Sequence, residues 1–180
     1  HSSRSRYVIA YNGEIYNHQA LRRSLKQPYD FATESDCEVI LPLYLEKGSA
    51  FLNELYGMFA FVLYDETAKR YLIARDPIGI IPLYYGFDDK QQLYVASEMK
   101  ALVDVCDVVS EFPPGHYWAS EDDKPTPYYQ RPWQEYSAVE NAETSVEAVG
   151  EALEKAVISH LMTDVPYGVL LSGGLDSSII

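Results

Sequence analysis

Cysteine is nearly absent: the 180 residues hold only Cys37 and Cys106. They stand too far apart for C-x-x-C spacing, so zinc-ribbon and dithiol redox chemistry are excluded and two free thiols are expected. Basic residues are few as well, 14 against 27 acidic ones for a net charge of -13. That balance repels phosphate backbones and anionic lipid, which excludes nucleic acid and membrane surfaces as partners. No apolar run approaches the roughly 20 residues of a membrane span. The opening His1-Ser2-Ser3-Arg4 has neither the apolar core nor the cleavage site of a secretory signal, so a soluble cytoplasmic protein is the expectation. Histidine occurs singly at His18, His116 and His160, away from metal-ligand spacing, which predicts structural or surface roles. No internal repeat or low-complexity tract interrupts the chain.

What is plentiful is aromatic and apolar: 16 tyrosines and 47% hydrophobic residues, a globular composition. YVIAY, residues 7–11, reads as a strand ending in Asn12-Gly13, a pair that tolerates positive φ and suits a turn. A short helix follows over NHQALRRSLK. Ser35, with Glu38 three positions on, matches a capping box opening a helix to Glu46 that Gly48 would stop. GMFAFVLYD, RYLIARD, PLYYGF and QLYVASE predict an antiparallel meander, with a helical turn near Glu98 to Val103 and further strands around Val108 and Tyr117. Residues 121–142, rich in Pro, Asp and Glu without a period, read as a linker between a domain at 1–120 and a second at 143–180. There Thr144 and Glu147 predict another capping box. Val146, Val149, Leu153, Val157 and Leu161 recur as an amphipathic helix requires. VPYGVLL then reads as a strand feeding a glycine turn and a helix, the opening of a doubly wound α/β domain.

Two segments carry candidate chemistry. In SGGLDSS, Gly173 and Gly174 let a backbone turn tightly and aim N–H groups at an anion, while Ser172, Ser177 and Ser178 can donate to phosphate oxygens. The segment lacks the Lys of G-x-x-x-x-G-K-[ST], which excludes a kinase-type phosphate loop. Asp176 would repel phosphate without a cation between them, which implies Mg2+ there. The bland alternative is a Gly-Gly turn and a Ser-Ser cap. In YNGEIYN, the Asn12 amide and the Gly13 N–H could hold an oxyanion, and Glu14 and Asp36 could bind an ammonium group. Here the alternative is a hairpin turn, with Asp36 complementing a helix dipole. Arg75 and Asp76 in RDPIG read as a structural ion pair closing a turn around Pro77 and Gly79.

NGEIYNH, SDCEVI, GMFAF, RDPIGIIPLYY, ASEMKAL and SGGLDSS, in that order, make the chain from Tyr7 to Ile180 similar to the asparagine synthetase family, above all its bacterial and plant glutamine-using members. The resemblance implies an α+β fold: a partial N-terminal-nucleophile αββα sandwich followed by the start of an α/β ATP-pyrophosphatase domain. It implies that a terminal Cys attacks the side-chain amide of glutamine and that Asn12 and Gly13 form the oxyanion hole. Glutamine would contact Asn12, Gly13, Glu14 and Asp36, the last two holding its amino-acid end. Ammonia would pass through an internal tunnel to β-aspartyl-AMP made from ATP and aspartate. Leu170, Ser172, Gly173, Gly174, Asp176, Ser177 and Ser178 are implied as ATP contacts, with ATP and Mg2+ as cofactors and a homodimer as the family's assembly.

The sequence departs from that pattern at residue 1, which is His. Neither Cys37 nor Cys106 can replace a nucleophile whose own α-amino group assists the thiol. The expectation is therefore a piece of an asparagine synthetase, inactive by itself in both half-reactions. Two alternatives stand beside it: a β-lactam-synthetase-like adenylating enzyme, which keeps the loop without the nucleophile, and a non-catalytic glutamine-binding module. NGEIYNH with Asp36 weighs against the first, and SGGLDSS against the second.

Overall fold

The computed structural model describes residues 6–143, 145–163 and 165–179, which fall into two compact units, His1–Gln130 and Arg131–Ile180. In the first unit β1 (Tyr7–Ile15) leads to α1 (His18–Ser24), a 3-10 turn (Asp36–Val39), α2 (Ile40–Lys47) and a second 3-10 segment (Gly48–Glu54). The strands β2 (Gly57–Asp65), β3 (Arg70–Arg75), β4 (Tyr84–Phe87), β5 (Leu93–Ala96), β6 (Val108–Glu111), β7 (His116–Ala119) and β8 (Thr126–Pro127) follow. They form two antiparallel sheets, ordered β1-β2-β3-β7-β8 and β5-β4-β6. The single meander expected from the sequence is thus divided. β3 pairs with β7 rather than β4, because the turn at residues 76–81 carries the chain out of the first sheet into the second.

The period of two in β2 explains why both faces of the first sheet are apolar. Phe59, Phe61 and Leu63 join Leu72 and Ala74 of β3 in a core shared with Leu21 of α1, Ile40 and Leu43 of α2, and Phe51. Ala60 and Ile73 point the other way, into a second core with Leu83, Phe112 and Trp118. Tyr85 of β4 packs edge-on against Trp118 at 5.4 Å and Phe112 at 6.0 Å, which joins the sheets by aromatic contact. The layers are therefore helices, sheet, sheet.

Several local expectations are corrected. β1 does not stop at Asn12-Gly13 but runs to Ile15, paired with β2 down to Gly57. Gly13 lies inside the strand at φ +133°, where a Cβ would collide with the Met58 carbonyl and the Phe59 Cα. Glycine is needed there for close approach, not for a turn. Ser35 makes no side-chain cap; its hydroxyl lies 3.3 Å from the Cys37 Sγ, and Glu38 reaches Ala32 and Thr33 instead. A tight 3-10 turn starts there, which alters the geometry a capping box requires. Arg75 and Asp76 do not pair with each other, since consecutive residues of an extended strand point opposite ways. Arg75 is buried and bonds Glu111 at 2.7 Å and the carbonyls of Gly79, Ile81 and Phe112. Asp76 is buried and accepts the N–H groups of Ile78, Gly79, Ile80 and Ile81 at 2.6–3.1 Å. Together they shape the crossover between the sheets.

The segment 121–142 contains β8, which pairs with β7, and beyond it α3 (Tyr136–Val139) of the second unit. The expected helix is present as α4 (Val146–His160). Its cap is Ser145, whose hydroxyl accepts the Ala148 N–H at 3.2 Å; Thr144 lies outside the described residues. Residues 165–171 are not a strand, because no strand among the described residues pairs with them and strands exist only in ladders. After the glycine turn comes α5 (Leu175–Ile179). Among the described residues no helix is long and apolar enough to cross a membrane.

Candidate functional site

The free edge of β1 gathers the first set of site residues. Phe59 directs its carbonyl and N–H towards Asp76, with its oxygen 2.8 Å from the Asp76 nitrogen. The opposing pair Gly13 and Phe59 is therefore one that exchanges no backbone hydrogen bonds, and the Gly13 N–H faces out from the edge of β1. The same alternation turns the Ile15 N–H outward, and Asp36 Oδ2 accepts it at 2.6 Å. Asp36 arrives on the 3-10 turn before α2 and takes a second bond on the same oxygen, from the Tyr11 hydroxyl at 2.6 Å. Asn12 and Glu14 are exposed on the face away from the helices. The Asn12 Nδ2 donates to Ser97 Oγ at 3.3 Å, which ties β1 to the end of β5 and leaves a second amide hydrogen. Asn12, Gly13, Glu14 and Asp36 are thus brought to one stretch of strand.

Tyr11, Arg22 and Ser97 join the site without having been singled out by motif, and Glu38 joins it in a role other than the capping one expected. Tyr11 alternates with Ile9 on the core face, and a phenol in a core position needs a partner, a signal that is legible in the sequence. The Arg22 guanidinium lies 4.2 Å over the Phe31 ring and donates to the carbonyls of Thr33 and Ser35. Glu38 accepts from Ala32 N, Thr33 N and Thr33 Oγ1 at 2.6–2.8 Å. These contacts, invisible in spacing, shape the loop that delivers Asp36.

Burial alone would push the Glu38 carboxyl up, but bonds from the Thr33 hydroxyl and the Ala32 and Thr33 amides, with the Arg22 charge, hold it below its ordinary 4.5. A folded pKa below the unfolded one contributes stability above the ordinary value, lost as pH falls through the folded one. Glu38→Gln is expected to flatten the loss of thermal stability below pH 4.5. Melting curves of both proteins across that range check this, and parallel curves would refute it.

The second set lies in the other unit and is exposed. Gly173 takes φ +79°, the left-handed region that glycine enters without strain. Ser172 and Ser177 hydroxyls meet at 2.9 Å, and Ser177 and Ser178 both donate to the Gly174 carbonyl. Asp176 stands in the first turn of α5, and Leu170 is 92% exposed. Among the described residues no three His, Cys, Asp or Glu converge on a metal position.

A family model for the glutamine amidotransferase domain matches residues 1–116. The chain belongs to that family. A second model, asparagine synthase, matches residues 148–180. Over 174 residues, 97% of its length, the amidotransferase chain is 61% identical to asparagine synthetase B [glutamine-hydrolyzing] of Escherichia coli, of which it covers 31%. It is 51% identical over 173 residues to asparagine synthetase [glutamine-hydrolyzing] 3 of Arabidopsis thaliana, 96% of this chain and 30% of that protein. The chain thus spans about a third of the length of these relatives. Among solved structures, the B. subtilis glutamine phosphoribosylpyrophosphate amidotransferase complexed with ADP and GMP is similar at TM-score 0.60 and 28% identity, over 73% of this chain and 31% of that one. A structure of the allosteric regulatory enzyme of purine biosynthesis is similar at TM-score 0.61 and 28% identity, over 73% and 30%. The α+β architecture with paired antiparallel sheets is that of the N-terminal-nucleophile amidotransferases.

Proposed function

We propose that the amidotransferase domain supplies ammonia from glutamine to an ATP-dependent synthesis of asparagine from aspartate. The observation that carries this reading is the edge of β1, where the outward Gly13 N–H and the Asn12 amide lie on one short run of strand to which the Asp36 carboxylate is bonded. An amide and an N–H suit the oxyanion that forms when a thiolate adds to the glutamine amide; the carboxylates Glu14 and Asp36 suit its α-ammonium group. The nucleophile is a terminal Cys, a position that neither Cys37 nor Cys106 occupies, and both are free.

In the second unit Leu170 and the loop Ser172–Ser178 contact ATP. The left-handed Gly173 shapes a loop whose N–H groups would face the phosphates, with the Ser172, Ser177 and Ser178 hydroxyls exchanging their bonds within the loop for phosphate oxygens. Mg2+ held by Asp176 would offset phosphate charge there. The first domain runs to Gln130, since β8 still pairs with β7, and the second covers 143–180; the protein is a soluble cytoplasmic one, and its assembly is a homodimer.

The test supplies full-length protein with ATP, aspartate and glutamine labelled with 15N at the amide, and reads labelled asparagine by mass spectrometry. Label in asparagine, with release of pyrophosphate, is the expected result. Adenylation of another carboxylate without glutamine turnover would replace the reading with a β-lactam-synthetase-like activity, and glutamine binding with no response to ATP would reduce it to a binding module.

A further inference from the structure

A carboxylate that recognises an ammonium group must be held in one orientation, and on a loop it needs outside help. Asp36 has it from two directions: the Tyr11 hydroxyl at 2.6 Å and the Ile15 N–H at 2.6 Å. Both bonds fall on Oδ2, and neither falls on Oδ1. From this geometry we infer that Tyr11 is the positioning residue of the α-amino subsite, saturating one oxygen of Asp36 so that the other is presented to the substrate's ammonium group. This rests on the proposed glutamine reading and deepens it.

The supporting architecture is specific. Tyr11 is fixed by β1 with its ring packed against the helix-side core, so the hydroxyl has little freedom to leave the carboxylate. The other donor, the Ile15 N–H, belongs to the same strand, so strand and carboxylate are located together relative to Gly13 between them. Burial, then the bond to Asp36 and its charge, push the Tyr11 phenol above its ordinary value, so it stays protonated and remains a donor. Two donors converging on one oxygen suit a carboxylate, which is acceptor-only when ionised, the form an ammonium partner requires. Removing the backbone donor would take a proline inside β1, whereas the phenol is removed by Tyr11→Phe without touching the backbone.

The test compares glutamine with 5-amino-5-oxopentanoate, the same molecule without the α-amino group, by ligand-observed NMR titration of the full-length protein. The ratio of the two dissociation constants reports recognition of the amino group and is insensitive to any fraction of unfolded variant. The wild type is expected to prefer glutamine, Asp36→Asn to erase the preference, and Tyr11→Phe to reduce it about tenfold, as loss of one hydrogen bond to a charged group implies. Tyr11→Phe added to Asp36→Asn is expected to change nothing further, because both act through one interaction. A Tyr11→Phe protein with the wild-type ratio, while Asp36→Asn loses it, would overturn the positioning role and leave the glutamine reading standing. A wild-type protein that binds no glutamine would overturn that reading, and the inference with it.

Discussion

Asp76→Ala is expected to destabilise the amidotransferase domain by about 3 kcal/mol or more, the upper end for a point mutation, because several buried donors lose their acceptor at once. Four consecutive backbone amides, Ile78 to Ile81, converge on this side chain, which is 1% exposed. Removing the carboxylate strands the Ile78, Ile80 and Ile81 donors in a turn outside any ladder, while the Gly79 N–H keeps the Asp76 carbonyl at 3.2 Å. Arg75 cannot compensate: its guanidinium only donates, here to the carbonyls of Gly79, Ile81 and Phe112, and cannot accept the freed N–H groups. The loss would be a large part of the roughly 5–15 kcal/mol that holds an ordinary domain folded. Asp76→Asn is expected to lie between, since its amide keeps one acceptor oxygen but turns an NH2 towards a remaining N–H. Urea unfolding followed by circular dichroism measures both. A loss below about 1 kcal/mol for Asp76→Ala would mean that Arg75, with the Tyr128 hydroxyl on the Arg75 carbonyl at 2.8 Å, holds the turn without it.

Gly13→Ala is expected to abolish glutamine binding and to destabilise the domain by about 3 kcal/mol, combining overpacking with a backbone conformation that L-residues rarely adopt. The new methyl would meet the Met58 carbonyl and, at 2.7 Å, the Phe59 Cα. These are backbone atoms of β2, so no side-chain rotation relieves the collision. The strands must separate where Gly13 faces Phe59, and that separation displaces the outward N–H of Gly13 together with Asn12 and Glu14. Thermal melting and a glutamine titration read the two effects separately. A variant that keeps wild-type affinity would show that the edge of β1 is not where glutamine sits.

The parts of the fold that are legible in the sequence share a cause. β2 matches GMFAFVLYD residue for residue, and α4 matches its apolar stripe, because periodicity and propensity act within a segment and leave a local trace. Asn12-Gly13 misleads for the same reason: the dipeptide signals a turn locally, but here Gly13 answers to a neighbouring strand that is 46 residues away at its paired Phe59. The division into two sheets is equally hidden. It depends on the buried Asp76 gathering four amides, a contact set that no spacing rule encodes.

The candidate site divides along the same line. The residue types that could bind glutamine and phosphate, Asn12, Gly13, Glu14, Asp36 and Ser172 to Ser178, are named by motif, since chemistry limits which side chains can serve. What holds Asp36 and its loop in place is supplied by Tyr11, Ile15, Arg22 and Glu38, which come from three separate elements. The sequence by itself determined the composition, the strand and helix periods and which side chains are candidates for binding. Only the tertiary structure decided which strand edge stayed open and which oxygen of Asp36 was already taken. Backbone direction and hydrogen-bond pairing are properties of strands brought together, not of the strands alone.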